Sequence, residues 1–296
     1  MMQNKHNGVI IINKPIGFTS HDVVAKLRGI LSMKKIGHTG TLDPDAVGVL
    51  PVCVGNATKI SDLLTSYQKE YEAEVTLGSE TDTQDSSGSV IAVSDANVSE
   101  SEIRAACGSF VGEISQIPPM YSAIKQDGKK LYELARAGIE VERKPRTVTI
   151  DKIEITDFDL ENKKFSMRVL CSKGTYIRTL CSDIGKALGC YAHMSKLCRT
   201  KSGDFCIADA ITLDSVESLS KQDDFSFIIP VDLVLSAYPP LYVSQRKAQN
   251  MCNGMQIRTP GMTGGTTYRV YDEGGRFLTV SRAENGVLKI IKTFYT

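Results

Sequence analysis

The sequence predicts an α+β fold in which helices flank a mixed or antiparallel central sheet, followed by a small, barrel-like β domain. Strand and helix patterns alternate irregularly along the 296 residues, unlike the regular β-α repeat of a doubly wound parallel sheet. Residues 71–77 and 164–171 each alternate apolar and polar side chains, which is typical of strands with one buried face. Since 42% of the residues are hydrophobic, the chain can bury a sizeable core.

The first elements are a strand and a helix. Residues 8–13, GVIIIN, form a β-branched run that stops before Pro15. Ser20 can cap a helix, and the apolar residues after it recur at the spacing of one helix face. These residues are Val23, Val24, Leu27, Ile30 and Leu31.

Two further helices are predicted in the middle of the chain. Residues 99–110 have the pattern of a short capped helix. Over residues 175–188, apolar residues recur at helical spacing, and Gly189 can end the helix. This second helix begins close to the end of the strand at 164–171.

The last part of the chain predicts a separate small β domain. Residues 217–240 are rich in Ser and Asp and end in Ala-Tyr-Pro-Pro, so we interpret them as a connector. After them, three β-rich runs are separated by Asp-Glu-Gly-Gly and Glu-Asn-Gly, which are hairpin signals. The expected domains are therefore residues 1–236 and residues 237–296.

The charged residues are distributed unevenly. The net charge of the chain is only +1, but residues 237–296 hold eight Lys or Arg against three Asp or Glu. Residues 125–146 hold seven against four, around a short predicted helix with a glycine stop. A third cluster consists of Lys196, Arg199 and Lys201. One such cluster is typical of a solvated surface, whereas three together favour a polyanionic partner.

Several common kinds of site are absent from the sequence. The eight cysteines include no C-x-x-C pair and the four histidines are isolated, so neither a metal site nor a disulfide framework is expected. Glycine-rich nucleotide-binding motifs and the serine-hydrolase elbow are also absent. We therefore expect chemistry by side chains alone, without a cofactor. The lack of a secretory signal or of a membrane-length apolar run predicts a cytoplasmic protein.

One acidic residue stands out, in the segment GHTGTLDPDAVGVLP at 37–51. Pro44 restricts Asp43 to an extended conformation and removes a backbone donor, so the carboxylate is held on a rigid segment. Asp45 is expected to point elsewhere. An Asp-Pro pair is also an ordinary turn signal, but the glycines and apolar residues around this one allow a ligand or another backbone to approach closely.

Five segments, in the same order, resemble the bacterial tRNA pseudouridine 55 synthase family, TruB. The resemblance covers roughly residues 8–215, and the LDP and KGTYIR segments are its most specific parts. The final β domain is similar to the PUA-like module of these enzymes. The five segments are GVIIINKPIGFTSHDVV, GHTGTLDPDAVGVLPVCVGNATK, KEYEAEVTLGSETDTQDSSG, IPPMYSAIKQDGKKLYELARAG and CSKGTYIRTLCSDIGKALGCYAHMSKLCRTKSGDF.

The resemblance implies the pseudouridine-synthase fold and an isomerase that converts uridine 55 in the T-loop of tRNA to pseudouridine. In this reaction the base leaves the loop, is detached from its ribose, and is turned and rejoined through carbon 5. We expect a monomer that needs no cofactor and no obligate protein partner. The basic segment 125–146 matches the family's insertion that grips the T-arm, which gives its charge a purpose.

Three residues match the reactive centre of the family. Asp43 matches its essential carboxylate, which could stabilise the electron-poor ribose, attack it or remove a neighbouring proton; the sequence leaves these routes open. Arg178 matches the arginine that pairs with this acid, a role that suits a planar fork better than a lysine. Tyr71 matches the tyrosine that stacks on the target base and can assist the final proton removal. Without the resemblance, Arg178 would be an ordinary helix-surface residue and Tyr71 a core residue.

Four further residues match positions that contact or support the substrate. Tyr176 and Leu197 match residues that line the uridine pocket, and His38 matches a histidine that fills the gap left by extruded bases. Lys14 lies in a family motif and is expected to support the catalytic segment rather than to react. Asp45 replaces a bulky apolar residue of many relatives, which leaves open how RNA phosphates are placed beside it.

Two other functions remain open at this point. The same surface could bind and refold tRNA without chemistry, or the protein could be a hydrolase that releases free uracil from a nucleoside. An Asp43→Asn variant separates the first alternative from an enzyme, since only an enzyme would lose a product. Mass balance separates the second, because isomerisation leaves the mass of the RNA unchanged.

Overall fold

The computed structural model describes residues 6–295. Its helices are α1 (Ser20–Ile30), α2 (Ser61–Thr65), α3 (Glu100–Ser109), α4 (Leu131–Arg136), α5 (Ile177–Ala187), α6 (Leu213–Lys221), α7 (Val231–Val234) and α8 (Gln245–Cys252). Its strands are β1 (Gly8–Lys14), β2 (Ile36–His38), β3 (Val47–Val54), β4 (Lys69–Leu77), β5 (Ser79–Thr81), β6 (Val90–Val93), β7 (Gly112–Gln116), β8 (Lys125–Gln126), β9 (Lys129–Lys130), β10 (Arg146–Asp159), β11 (Lys164–Cys171), β12 (Ala192–Ser202), β13 (Phe205–Cys206), β14 (Ile229–Pro230), β15 (Pro240–Val243), β16 (Thr267–Asp272), β17 (Phe277–Glu284) and β18 (Val287–Thr293).

The largest sheet formed by residues 6–295 has ten strands. Its order is β14-β1-β3-β12-β4-β11-β10-β7, with β2 attached to β3 and β13 attached to β12. Its neighbours are antiparallel except for β3 and β12, which are parallel. The predicted α+β fold with a mixed central sheet flanked by helices is confirmed.

Helices α1 and α5 cover the same buried face of this sheet. Val24 and Leu27 of α1 share one hydrophobic cluster with Leu180 and Ile184 of α5. Burying a side chain of this size contributes about 1.5–3 kcal/mol, so the apolar stripe that predicted each helix also fixes its position on the sheet. Helix α5 spans Ile177–Ala187, slightly shorter at both ends than the predicted 175–188.

The start of α1 differs from the prediction in one respect. The N-cap is Thr19, whose side chain accepts a hydrogen bond from the Asp22 amide while the Asp22 carboxylate accepts one from the Thr19 amide. Ser20 is the first helical residue instead, and it is buried. Its hydroxyl accepts a hydrogen bond from the Leu42 amide (2.8 Å) and is therefore tied to the segment that carries Asp43.

The C-terminal part forms a second sheet of four strands, in the order β15-β16-β17-β18. The two predicted hairpins are present, and Asn285 and Gly286 adopt the positive φ angles that a tight β17–β18 turn requires. The segment 217–240, interpreted as a connector, contains regular structure: α6 ends in it, β14 and α7 lie within it, and β15 begins at its last residue. Arg269 of β16 donates to the main-chain oxygens of Asp232 and Tyr238, so the second sheet is docked against this segment.

Within residues 6–295, no helix is both long and apolar enough to cross a membrane.

Candidate active site

A cavity of about 840 Å³ opens beside the parallel strand pair β3–β12. Asp43 and Leu197, two of the predicted site residues, lie in its wall. Asp45 also lines it, so the prediction that Asp45 points elsewhere was wrong. The volume falls within the range of roughly 300–1,000 Å³ that is typical of small-ligand sites.

Asp43 lies in the Asp43 loop, residues 39–46, between β2 and β3. Lys14, at the end of β1, is fully buried beneath this loop. Its ammonium group donates to the main-chain oxygens of Pro15 (2.8 Å), Pro44 (3.0 Å) and Phe18. All three donors of the amine are therefore used by the backbone, and burial lowers the pKa of Lys14 to about 8.

Arg178 holds the carboxylate of Asp43 with two contacts. Its Nε lies 3.0 Å from Oδ2 and its Nη2 lies 3.3 Å from Oδ1. The same guanidinium donates to the main-chain oxygens of Thr83 (3.1 Å) and Tyr121 (2.9 Å), and its Nη1 lies 3.4 Å from a carboxylate oxygen of Asp85. Such a planar fork fixes both the position and the direction of the acid.

Arg178 and Asp43 are buried to different extents, and this difference affects the pKa of Asp43. The side chain of Arg178 is only 6% exposed, whereas that of Asp43 is 37% exposed. The guanidinium is thus enclosed by protein, and the carboxylate reaches the cavity. Loss of water raises the pKa of Asp43; the charge of Arg178 opposes the rise, and the neighbouring carboxylate of Asp85 adds to it.

Asp85 is a member of the site that the sequence did not predict. It lies in the loop between β5 and β6, which binds to other elements through its backbone: Gln84 O and Met194 O accept from Met194 N and Ser86 N, respectively. The Gln84 side chain accepts a hydrogen bond from Thr179 of α5. The polar composition of this segment gave no sign of the long-range contact with Arg178.

The two predicted tyrosines flank the ion pair without lining the cavity. Tyr71 is buried on β4, and burial raises its pKa while the adjacent Arg199 guanidinium lowers it. Tyr176 is the residue before α5, where its amide and carbonyl pair with the side-chain amide of Gln116. Burial raises the pKa of Tyr176 as well. Their predicted roles on the substrate base stay predictions.

His38 is not among the residues that line the cavity. It is the last residue of β2 and pairs with Val52 of β3. Its ring is partly buried, and Nδ1 is enclosed without a hydrogen-bond partner among the described residues. Burial and the charge of Arg199 lower its pKa, which favours the neutral ring. Its predicted insertion into the RNA also stays a prediction.

The residues of the predicted basic clusters are not all on the surface. Lys196 and Lys201 are on the surface, but Arg199 is buried, so the prediction of a three-residue surface cluster there was wrong. In segment 125–146 the short helix is present as α4, and Lys129 lies exposed on β9 just before it. The positive charge of that segment is therefore available at the surface.

The described part of the chain contains no group of three or more His, Cys, Asp or Glu side chains arranged to hold a metal ion.

Two family models match consecutive parts of the chain. "TruB family pseudouridylate synthase (N terminal domain)" matches residues 28–177, and "tRNA pseudouridylate synthase B C-terminal domain" matches residues 178–236.

Curated relatives match over most of their length. The tRNA pseudouridine synthase B of Geobacillus thermodenitrificans (strain NG80-2) is 50% identical over 261 residues, which covers 86% of each chain. That of Clostridium kluyveri is 44% identical over 292 residues, 97% of this chain and 99% of the relative. Among solved structures, a chain of an H/ACA RNP bound to a substrate RNA containing 2'-deoxyuridine matches with a TM-score of 0.74 and 27% identity. The match covers 98% of this chain and 85% of that one.

Proposed function

Because the chain belongs to the TruB family of pseudouridylate synthases, we propose that it isomerises uridine 55 in the T-loop of tRNA to pseudouridine, with Asp43 as the essential carboxylate. It is a pseudouridine synthase and thus an isomerase. One observation carries the finer proposal: Asp43 reaches the cavity while an enclosed arginine holds it at two points.

The chemistry of the reaction explains why a single carboxylate is enough. Breaking the N-glycosidic bond leaves the ribose electron-poor, and a fixed negative group can stabilise that charge, form a temporary bond to the sugar or accept a neighbouring proton. Arg178 is enclosed and keeps the acid oriented at each of these steps. Two oxygens of Asp43 are thereby presented in one fixed plane to whatever enters the cavity.

The target base must leave its stack to reach Asp43. Extruding a nucleotide from a folded loop costs a few kcal/mol, which contacts to the flipped base and to the vacated space offset. The cavity is large enough to accept a nucleotide. We assign Leu197 and Tyr176 to the walls around the base, Tyr71 to its face, and His38 to the space that the base leaves in the RNA. Lys14 supports the Asp43 loop from below.

The remainder of the chain supplies contacts to the RNA. We propose that segment 125–146 grips the T-arm and that residues 237–296 form a small RNA-binding domain attached to a catalytic domain of residues 1–236. Exposed lysines in the first region and Arg246 and Arg258 in the second can face phosphates. We further propose that the protein acts in the cytoplasm as a monomer without a protein partner.

The proposal is tested with a T-stem-loop RNA and the full chain. After incubation, carbodiimide mapping locates any pseudouridine, mass spectrometry follows the RNA, and chromatography looks for free uracil. The expected result is one pseudouridine at the position equivalent to 55, with unchanged RNA mass and no uracil. Asp43→Asn should bind the RNA with similar affinity and form no product, since it keeps the size of the side chain and removes its charge.

Other results would contradict the proposal in distinct ways. Released uracil would indicate a hydrolase. Tight RNA binding with no product from the unmodified chain would indicate a binding module. Product from Asp43→Asn at the original rate would remove Asp43 from the mechanism.

A further inference from the structure

Arg199 is an unusual residue for the interior of this protein. It is only 2% exposed and is among the largest fully buried side chains. Moving an ion of this size from water into protein costs several kcal/mol unless it is paired. No carboxylate of residues 6–295 forms an ion pair with Arg199, although sixteen surface or buried acid–base pairs occur in the same part of the chain. A buried guanidinium without a carboxylate partner is therefore expected to have a specific role.

The hydrogen bonds of Arg199 run to the backbone on both sides of Asp43. Its Nε donates to the main-chain oxygen of Val49 (2.7 Å), in β3, and its Nη2 donates to that of Gly40 (3.2 Å), in the Asp43 loop. One rigid guanidinium therefore connects the beginning of the loop with the strand that follows it. A lysine has a single nitrogen at its tip and cannot reproduce this fork.

Arg199 also lies beside Tyr71. The two residues are directly opposite each other on the antiparallel strands β12 and β4, where side chains share one face and their Cβ atoms lie about 4.5–5.5 Å apart. Both side chains are buried. The phenol of Tyr71 consequently has a fixed positive charge as its neighbour, and this charge offsets part of the rise in pKa that burial causes.

Gly48 makes the close approach of these strands possible. It is opposite Arg199 in the parallel pair and has a φ of 104°. A Cβ atom at this position would lie 2.3 Å from the main-chain oxygen of Arg199. The strand that carries Arg199 can thus press against the end of the Asp43 loop only because residue 48 is a glycine.

We propose that Arg199 is a positioning residue of the active site, which fixes the backbone on both sides of Asp43 and holds the phenol of Tyr71 against a permanent cation. The proposal rests on the proposed function, because it gives Asp43 and Tyr71 the roles stated there. It explains the buried charge: Arg199 does not line the cavity, but it aligns Asp43, which does, and Tyr71, which is assigned to the face of the target base. When a proton moves to or from Tyr71, the neighbouring cation stabilises the more negative form.

The test compares Arg199→Lys and Arg199→Gln with the unmodified full chain on the T-stem-loop RNA. Lysine keeps the charge and most of the volume but loses the fork. We expect kcat to fall about 10- to 100-fold for Arg199→Lys, because a displacement near 1 Å can cost this much, and to fall further for Arg199→Gln. KM and the dissociation constant of the RNA should change less than about threefold, since Arg199 contacts no RNA.

Two controls separate positioning from a loss of stability. Ile60→Ala removes a fully buried side chain from a hydrophobic cluster that does not include Tyr71. This variant should lower Tm while kcat at 25 °C stays near the original value. A double-mutant cycle with Tyr71→Phe should give a combined loss smaller than the product of the single losses, because the two residues act together. If Arg199→Gln does not fold, Arg199→Lys alone decides the question.

The proposal is overturned if Arg199→Lys keeps kcat within twofold of the unmodified chain. It is also overturned if the losses of kcat from the Arg199 and Tyr71 substitutions multiply in the double variant. A third contradiction would be an Ile60→Ala variant that loses as much kcat as the Arg199 variant at an equal loss of Tm. These results leave the proposed function intact, because the unmodified chain still forms pseudouridine. An unmodified chain without product would instead remove the proposed function, and this inference with it.

Discussion

Two carboxylates in the wall of the same cavity, Asp43 and Glu74, have opposite environments. Glu74 accepts hydrogen bonds from Ser195 (2.7 Å), Lys196 (2.9 Å) and Lys164 (3.0 Å). Burial alone would raise the pKa of Glu74, but these donors outweigh it and bring the pKa to about 2. Asp43 instead shares one guanidinium with a second acid, and its pKa lies above the ordinary value.

This difference in surroundings supports the proposed role of Asp43 as the reactive acid and a structural role for Glu74. The charge of Glu74 is balanced by two lysines from neighbouring strands, so this residue joins β4, β11 and β12. The charge of Asp43 is balanced only in part, because Arg178 also serves Asp85. Two titratable groups whose surroundings push their pKa values apart are typical of a division between a reactive and a structural role.

The largest effect is expected from removing the fork that orients Asp43. Arg178→Lys keeps a positive charge but cannot contact both oxygens of the carboxylate and the two main-chain oxygens at once. We expect kcat to fall about 10²- to 10³-fold, the range seen when one preorganised electrostatic contact is lost. Single-turnover kinetics with excess enzyme measure this directly. A loss confined to KM would show that Arg178 binds RNA rather than orienting the acid.

The pH dependence of kcat tests the raised pKa of Asp43. Asp43 is proposed to react as a carboxylate, so its raised pKa should make kcat fall as pH decreases through a value above the ordinary aspartate pKa of about 3.9. The loss should approach tenfold per pH unit below that point. A kcat that stays constant down to about pH 4 in single-turnover measurements would contradict the raised pKa.

Stability should respond to pH in opposite directions at the two sites. The folded pKa of Glu74 is depressed, so its stabilising contribution is complete above its unfolded pKa and is lost as pH falls from there towards about 2. The folded pKa of Asp43 is raised, so ionising it costs stability as pH rises through the folded value. Chemical denaturation of Asp43→Asn and Glu74→Gln at several pH values measures both. Asp43→Asn should gain stability relative to the unmodified chain as pH rises, and a similar gain by Glu74→Gln would contradict a depressed pKa of Glu74.

A smaller effect is expected from the two lysines of β9, of which Lys129 is exposed and Lys130 is partly exposed. Lys129→Ala with Lys130→Ala, in the segment 125–146, should raise KM severalfold and leave single-turnover kcat nearly unchanged. Each lost phosphate contact should lower the slope of log affinity against log salt by up to about 1. Lys221→Ala, on α6 and paired with Glu217, is the matched control. Equal effects of the control and the double variant would contradict a specific RNA contact at 125–146.

The smallest effect should follow from Glu74→Gln. Exposed or partly exposed ion pairs contribute about 0–1 kcal/mol each, so the free energy of unfolding at neutral pH should fall by about 1 kcal/mol. The kcat should stay within about threefold, because Glu74 is not needed for the chemistry in this account. If Glu74→Gln lost as much kcat as Arg178→Lys, the division of roles between the two acids would be wrong.

Local sequence patterns predicted the helices and strands well. They did not predict contacts between residues that are distant in the sequence. The periodicity that predicted α1 and α5 reflects the face each helix buries, and Pro44 explained why Asp43 is rigid. Asp85 was missed because its partner is distant in the sequence and its own segment is only polar. Arg199 was grouped with surface lysines, although it alternates with Cys198 and shares the buried face of Leu197. Reading that strand by its period of two would have placed Arg199 inside.

A structure of Asp43→Asn bound to a T-stem-loop RNA would show directly whether residue 43 reaches the ribose of the target uridine. We expect the target uridine to be turned out of the loop and to enter the cavity. The side-chain tip of residue 43 should lie about 3–3.5 Å from the C1' region of its ribose, with Arg178 still in contact behind it. A target uridine that stays stacked in the loop, or a ribose bound beyond the reach of residue 43, would contradict the account.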